Sequence, residues 1–282
     1  MTPFGTRLAA AMDERGPLCV GIDPHPGLLA GWGLGDDAAG LREFALRVVE
    51  ALGGRVAALK PQSALFERHG SAGVAILEEV LAACRATGTL SVLDVKRGDI
   101  GSTMAGYAQA YLADGAPLAA DAVTLSPYLG LGSLTPAVEL AHETGRGVFV
   151  LALTSNPEGA DVQHATGPDG RSVAAGVVDG AGALNAAGPA AQGLGSVGLV
   201  VGATVGPAVR ELGIDLAASR APLLAPGFGA QGAGRAEVAE VFAGAEHAVL
   251  ASTSRAVLGA GPDGLVRAAD EATAEVRAAL GR

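Results

Sequence analysis

Cysteine is nearly absent, with only Cys19 and Cys84 in 282 residues. One lies in an apolar run of strand length and the other in a segment of helical period. A disulfide framework is therefore excluded, and a reducing, cytoplasmic setting is expected. Histidine is almost as scarce: the five residues form no H-x-H or H-E-x-x-H spacing. His25, within Asp23-Pro24-His25-Pro26, is the one histidine beside a candidate site, and no metal centre is expected there. Positive charge is in deficit, 19 Lys and Arg against 29 Asp and Glu, for a net charge of −10. That balance argues against nucleic acid or an anionic membrane as a partner, although a local cationic cluster can still hold a small anion. No uninterrupted apolar stretch is long enough to span a bilayer. Met1-Thr2-Pro3-Phe4 lacks a basic region followed by an apolar run, so no secretory signal is expected. Low complexity is also missing, because the many glycines and alanines are spread along the whole chain.

What the chain does have is a repeating alternation. Apolar runs of strand length occur at Leu18–Ile22, Val56–Leu59, Leu90–Val95, Ala122–Leu125, Val148–Leu153, Val197–Val201, Pro222–Ala225 and Ala248–Ala251. Between them, helical periodicity marks Leu41–Leu52, Ala72–Ala86, Thr103–Leu112, Thr135–His142, Val205–Leu212 and Arg235–Phe242. Eight near-continuous apolar strands alternating with helices predict a parallel (β/α)8 TIM barrel, with a doubly wound sheet as the alternative. Polar residues follow nearly every run, where the active face of such a barrel lies. No linker divides the chain, so 1–282 is expected to be one barrel domain. Two additions are predicted. A helix opened by Thr2-Pro3 and ending near Arg15 would cover the barrel bottom. A long insertion after the fifth strand, beginning at Asn156, would carry a turn at Gly167-Pro168-Asp169-Gly170 and then a helix near Val173–Leu184.

The third strand runs into Asp94-Val95-Lys96-Arg97-Gly98-Asp99-Ile100. Alternate residues of a strand share a face, so Asp94 and Lys96 point the same way, and Gly98 lets the chain turn to present Asp99. Lys60 ends the neighbouring second strand. Buried charges are costly unless paired, so Lys60, Asp94, Lys96 and Asp99 read as a mutually neutralising tetrad, its lysines protonated and its carboxylates ionised. A purely structural ion pair at a strand end is the plainer reading of Asp94 and Lys96 alone. At the other side of the expected barrel mouth, the Gly227-x-Gly229 turn can bring backbone N–H groups close to an anion. Arg255, after the eighth strand, adds a forked permanent cation. Together they read as a phosphate cup in the usual place for this architecture.

These motifs resemble the orotidine 5′-phosphate decarboxylase family, its longer bacterial branch in particular. Asp94, Lys96 and Asp99 match its D-x-K-x-x-D signature. Gly21-Ile22-Asp23-Pro24, Leu59-Lys60-Pro61-Gln62, Thr154-Ser155-Asn156-Pro157, Pro226-Gly227-Phe228-Gly229-Ala230-Gln231 and Ser254-Arg255 follow in the family's order. The resemblance implies cofactor-free loss of CO2 from orotidine 5′-phosphate to give uridine 5′-phosphate, with Lys96 donating the proton to C6. It also implies that Asp23 holds ribose hydroxyls, Ser155 the pyrimidine ring, and Gln231 the phosphate while reaching toward Ser155. In that family Asp99, Ile100 and Thr103 come from the other subunit of a homodimer with shared sites.

Three alternatives stand beside this reading. The metal-dependent sugar-phosphate decarboxylases and aldolases of the same barrel group share D-x-K-x-x-D but carry a metal-binding carboxylate at the end of strand two. Here that position is Lys60, which repels a metal. A Schiff-base aldolase using Lys96 would need an unprotonated amine between two carboxylates. A non-catalytic nucleotide-phosphate sensor would have no need of the charged tetrad.

Overall fold

The computed structural model describes residues 1–190, 192–228 and 234–282. Eight parallel strands form a closed barrel in sequence order: β1 (Leu18–Ile22), β2 (Ala58–Pro61), β3 (Leu90–Arg97), β4 (Ala122–Leu125), β5 (Gly147–Leu153), β6 (Val197–Val201), β7 (Leu223–Pro226) and β8 (Val249–Thr253). Pairing of Leu18 with Ala251 and Cys19 with Ser252 joins β8 to β1, which rules out the open doubly wound sheet. The strands are buried along almost their whole length, as near-continuous apolar runs require when helices cover the outside. β1, β4 and β6 keep their expected bounds. β2 starts later and takes Lys60 and Pro61 into the strand, while β3 extends through Lys96 and Arg97.

The helices follow the periodic segments, with one exception. The expected helix over Val205–Leu212 contracts to a single turn, Ala208–Glu211. Gly206 sits at φ +61° and Pro207 follows it, so the backbone cannot enter a helix any earlier. The excursion after β5 contains the predicted turn: Gly170 N–H donates to Gly167 O at 3.0 Å, and Thr166 pairs antiparallel with Ser172. Ser172 then caps the helix Val173–Ala187, its Oγ accepting from Ala175 N–H at 3.1 Å. No helix among the described residues is long and apolar enough to cross a membrane.

The N-terminal helix, Phe4–Arg15, closes the bottom of the barrel. Residues 147, 149 and 151 of β5 share the inward face, and the Phe4 ring packs below them, edge-on to Phe149 at 5.8 Å. Glycine makes the room, since a Cβ at Gly147 would lie 2.2 Å from the Phe4 ring. Arg7 fastens the helix by donating to the Asp121 carboxylate and to Gly145 O, the latter at 2.9 Å. Asp121 in turn accepts from both the N–H and the hydroxyl of Ser91, at 2.9 and 3.1 Å. The starts of β3, β4 and β5 are thereby bound to one helix at the end opposite the polar mouth.

Removing the plug should therefore cost stability and leave the mouth intact. Phe4→Ala is expected to lower the unfolding free energy by about 3–5 kcal/mol, because a fully buried ring leaves a cavity with no nearby chain to fill it. Urea unfolding followed by the fluorescence of Trp32, the single tryptophan, measures the loss.

Candidate active site

Inward-facing residues one level above Phe149 form the floor of a cleft of about 750 Å³ at the C-terminal ends of the strands. The floor has two unlike halves. β2, β3 and β4 contribute Lys60, Asp94 and Thr124, whereas β5, β6 and β7 contribute Leu151, Val200 and Leu224. Asp23, His25, Leu28, Lys96, Thr154, Gly227, Phe228, Ser252, Ser254 and Arg255 form the walls. Lys60 and Lys96 are the only two lysines of the chain, so every lysine it possesses lines this cleft.

Asp94 is the centre of the polar half. Its Oδ1 accepts from Lys96 Nζ at 2.6 Å and from Thr124 Oγ1 at 2.7 Å, and its Oδ2 accepts from Lys60 Nζ at 3.2 Å. Thr124 Oγ1 also accepts from the Lys96 backbone N–H at 2.9 Å, so one hydroxyl orients both the carboxylate and the lysine. Burial pushes the Asp94 carboxyl up, but the Lys60 and Lys96 charges and the hydrogen bonds outweigh it, and its pKa falls from 3.8 to about 2. Burial likewise opposes the Lys60 ammonium. Asp94 and then Asp23 overcome that opposition, and the Lys60 pKa is raised. Cys19 lies beneath this cluster on β1, where burial pushes its thiol up to about 12 and keeps it neutral.

Lys96 reaches Asp94 by an unusual backbone path. Leu93 pairs with Val123 and Arg97 with Leu125, so four residues of β3 stand opposite two of β4. The excess is absorbed by a bulge in which Lys96 takes φ +45°. A left-handed conformation costs a residue with a side chain about 1–2 kcal/mol, and such strain persists only where the surroundings enforce it. Gly98 lies so close to Ser126 that a Cβ would fall 2.3 Å from its carbonyl oxygen. Only glycine fits there.

The opposite wall carries the anion-binding features. Arg255 opens the short helix Arg255–Leu258 at the rim with its side chain exposed, and Gly227 turns the chain at φ +115°. Two polar atoms of wall residues, Asp23 Oδ1 and Ser254 Oγ, are buried without a partner among the described residues. Buried polar atoms are normally satisfied, so these two stand out from the rest of the wall. Thr154 is held by the excursion after β5: its N–H donates to Gln163 Oε1 at 2.9 Å and its Oγ1 accepts from Gln163 Nε2 at 2.7 Å.

Of the residues expected at the site, Asp23, Lys60, Asp94, Lys96, Gly227, Ser254 and Arg255 meet in this cleft. Ser155 is exposed beside it and is not one of the wall residues. Asp99, Ile100 and Thr103 do not reach the cleft within one chain; Asp99 Oδ1 accepts from Ile100 N–H at 2.8 Å, and Ile100 and Thr103 face outward. Within a single chain the tetrad is therefore a triad, with Thr124 in fourth place. Gly229 and Gln231 lie outside the described residues. Sequence reasoning missed Thr124, whose signal was a lone hydroxyl inside the fourth apolar run.

The Asp94 shift has a consequence for stability. Its carboxylate favours folding above the unfolded pKa near 3.8, and the contribution is lost as pH falls through about 2. The contribution is of the order of 2 kcal/mol. Urea titrations between pH 6 and 2 should show this decline in the parent protein, and Asp94→Asn should flatten it.

Comparison with known proteins agrees with the geometry. The model of the orotidine 5′-phosphate decarboxylase / HUMPS family matches residues 16–271. The orotidine 5′-phosphate decarboxylase of Salinispora arenicola (strain CNS-205) is 61% identical over 282 residues, covering 99% of each sequence. That of Streptomyces coelicolor is 58% identical over 283 residues, again with 99% of each covered. A solved chain from Streptomyces avermitilis, 57% identical, superposes with a TM-score of 0.94 over 100% of this chain and 97% of its own. The OMP decarboxylase of Leishmania donovani is 32% identical and superposes with a TM-score of 0.78 over 100% of both chains. The chain belongs to the orotidine 5′-phosphate decarboxylase family.

Proposed function

We propose that Lys96 supplies the proton at C6 as this orotidine 5′-phosphate decarboxylase releases CO2 and forms uridine 5′-phosphate. The observation that carries the assignment is the Lys96–Asp94–Lys60 array on the floor of the cleft, with Asp94 ionised and each lysine paired to it. Loss of CO2 leaves negative charge at C6, and a fixed ammonium stabilises that charge more in the transition state than in the substrate before delivering its proton. Repulsion between the substrate carboxylate and Asp94, at about 4 Å and an effective dielectric near 20, amounts to about 4 kcal/mol. That is roughly a thousandfold in rate, so the larger share falls to stabilisation by Lys96. Leu151, Val200 and Leu224 offer the pyrimidine a dry face, which strengthens these charge interactions.

Arg255 and the backbone at Gly227 are assigned to the 5′-phosphate and Asp23 to the ribose hydroxyls. The placement of Asp23, Gly227 and Arg255 on the cleft wall supports these roles. Gln231 and Gly229 complete the phosphate cup in the same assignment, and Ser155 meets the pyrimidine. Residues 1–282 act as one barrel domain. In this reading the reaction uses no metal, because Lys60 occupies the position where the metal-dependent relatives place a carboxylate. Among the described residues no three His, Cys, Asp or Glu side chains converge to hold an ion. Full activity is therefore expected after exhaustive dialysis against EDTA, and rescue by Mg²⁺ of a chelated, inactive enzyme would refute this.

The working unit is a homodimer in which Asp99, Ile100 and Thr103 serve the partner's site. Supporting this, Ile100 is 62% exposed, and Tyr128 and Leu129, on the loop after the adjacent β4, are 78% and 52% exposed. Such an outward apolar patch beside an active-site rim fits a subunit interface. Lys96→Ala and Asp99→Ala dimers should each be inactive while still binding uridine 5′-phosphate. Refolded together, half the dimers are mixed and carry one intact site of two, so about a quarter of parental activity should return. If exchange of subunits is demonstrated and nothing returns, each chain uses its own Asp99.

A further inference from the structure

We propose that Arg97 is a positioning residue for catalysis: its side chain clamps the bulge that aims Lys96 at Asp94. The inference rests on the assignment of Lys96 as proton donor. The bulge is well held on the β4 side. Thr124 Oγ1 takes the Lys96 N–H, Ser126 N–H donates to Arg97 O at 2.7 Å, and Gly98 is pressed against the Ser126 carbonyl. On the β2 side, backbone pairing runs out at the isolated bridge between Gln62 and Asp94. Beyond that point β3 has no ladder partner there among the described residues, although this is where Lys96 adopts its left-handed conformation.

The Arg97 side chain spans this open flank. Its Nη2 donates to Glu67 Oε1 at 2.6 Å, and the same oxygen accepts from Ser63 Oγ at 2.8 Å. Ser63 and Glu67 belong to the short helix Ser63–Glu67 that directly follows β2 and begins three residues after Lys60. The guanidinium also lies 5.7 Å over the Tyr107 ring, on the helix Gly101–Leu112 that follows β3. One side chain thus ties the strand end bearing Lys60 to the strand end bearing Lys96, and both to the next helix. An exposed ion pair would contribute little. Here both partners are about two-thirds covered, and Arg97 Nε is buried with no partner among the described residues. The guanidinium is anchored by the single Nη2 hydrogen bond to Glu67 and by its position over the Tyr107 ring, a combination that the point charge of a lysine does not reproduce. Without the anchor only the β4 contacts oppose relaxation of the Lys96 backbone to negative φ, which carries Nζ away from Asp94. The cup around Arg255 lies across the barrel and stays in place.

Steady-state kinetics of Arg97→Ala, Arg97→Lys, Glu67→Gln and the double variant Arg97→Ala/Glu67→Gln test this, with Lys96→Ala as reference and thermal unfolding as a check on folding. The expected pattern is a fall in kcat of about ten- to a hundredfold for Arg97→Ala, with KM and uridine 5′-phosphate affinity within about threefold of the parent. Arg97→Lys should recover only part of the rate, and Glu67→Gln should lose some of it. The double variant should be no slower than Arg97→Ala, since both substitutions act on the same contact. Parental kcat in a folded Arg97→Ala enzyme, or a loss confined to KM, overturns the clamp. If Arg97→Ala does not fold, Glu67→Ala, which removes the acceptor altogether, decides: an unchanged kcat overturns the clamp. Turnover retained by Lys96→Ala would instead remove the donor assignment itself, a different failure from an inactive Lys96→Ala beside a normal Arg97→Ala.

Discussion

Asp94 is an ionised carboxylate under the mouth of a closed barrel, and the polar half of the site is arranged around the cost of keeping it there. An unpaired buried charge is several kcal/mol unfavourable, so it must be met from several sides at once. Lys60 meets it from β2, Lys96 from the end of its own strand and Thr124 from β4. Each partner belongs to a different segment of chain, and the pairing of β3 with β2 on one side and β4 on the other brings them to one point. The same pairing fixes protonation states: Asp94 is held down to about 2 and Lys60 is held protonated. A lysine held protonated is a poor nucleophile, which fits the proposed electrostatic role better than imine formation.

Stability and chemistry occupy opposite ends of the barrel. At the bottom, Phe4 fills the interior below Phe149, and Arg7 ties the starts of three strands to the N-terminal helix through Asp121 and Gly145. At the top, strain is tolerated: Lys96 is left-handed, and Asp23 Oδ1 and Ser254 Oγ have no partner among the described residues. Local strain and unsatisfied polar groups at a functional site have to be offset elsewhere in the structure. The fully buried bottom layer is one place where that offset is found. The division of the floor into a charged half on β2 to β4 and an apolar half on β5 to β7 follows the same logic. The apolar half keeps water away from the charges that the other half must aim.

Much of this was legible in the residues. The eight apolar runs became eight strands because a parallel sheet covered on both faces needs apolar side chains pointing both ways. Lys60, Asp94 and Lys96 could be picked out because charged residues at the end of an apolar strand need an explanation. Thr124 could not, because a single threonine in a strand is unremarkable until the fold sets its hydroxyl between Asp94 and the Lys96 amide. The span Val205–Leu212 misled for a local reason, its helical spacing being cut by Gly206-Pro207. Arg97 carries no signal of its own in the sequence, since its meaning depends on Glu67 and Tyr107, which lie on two other helices.

Periodicity and the order of polar residues after each run are properties of the chain alone, so the sequence by itself determined the barrel, its active face and the identity of the charged residues there. Tertiary structure decided how those residues meet. The two-residue excess of β3 over β4, the left-handed turn at Lys96 and the three-sided grip on Asp94 arise from pairing between strands distant in sequence. Register between neighbouring strands is set by packing of the closed barrel as a whole, and no spacing within one strand encodes it.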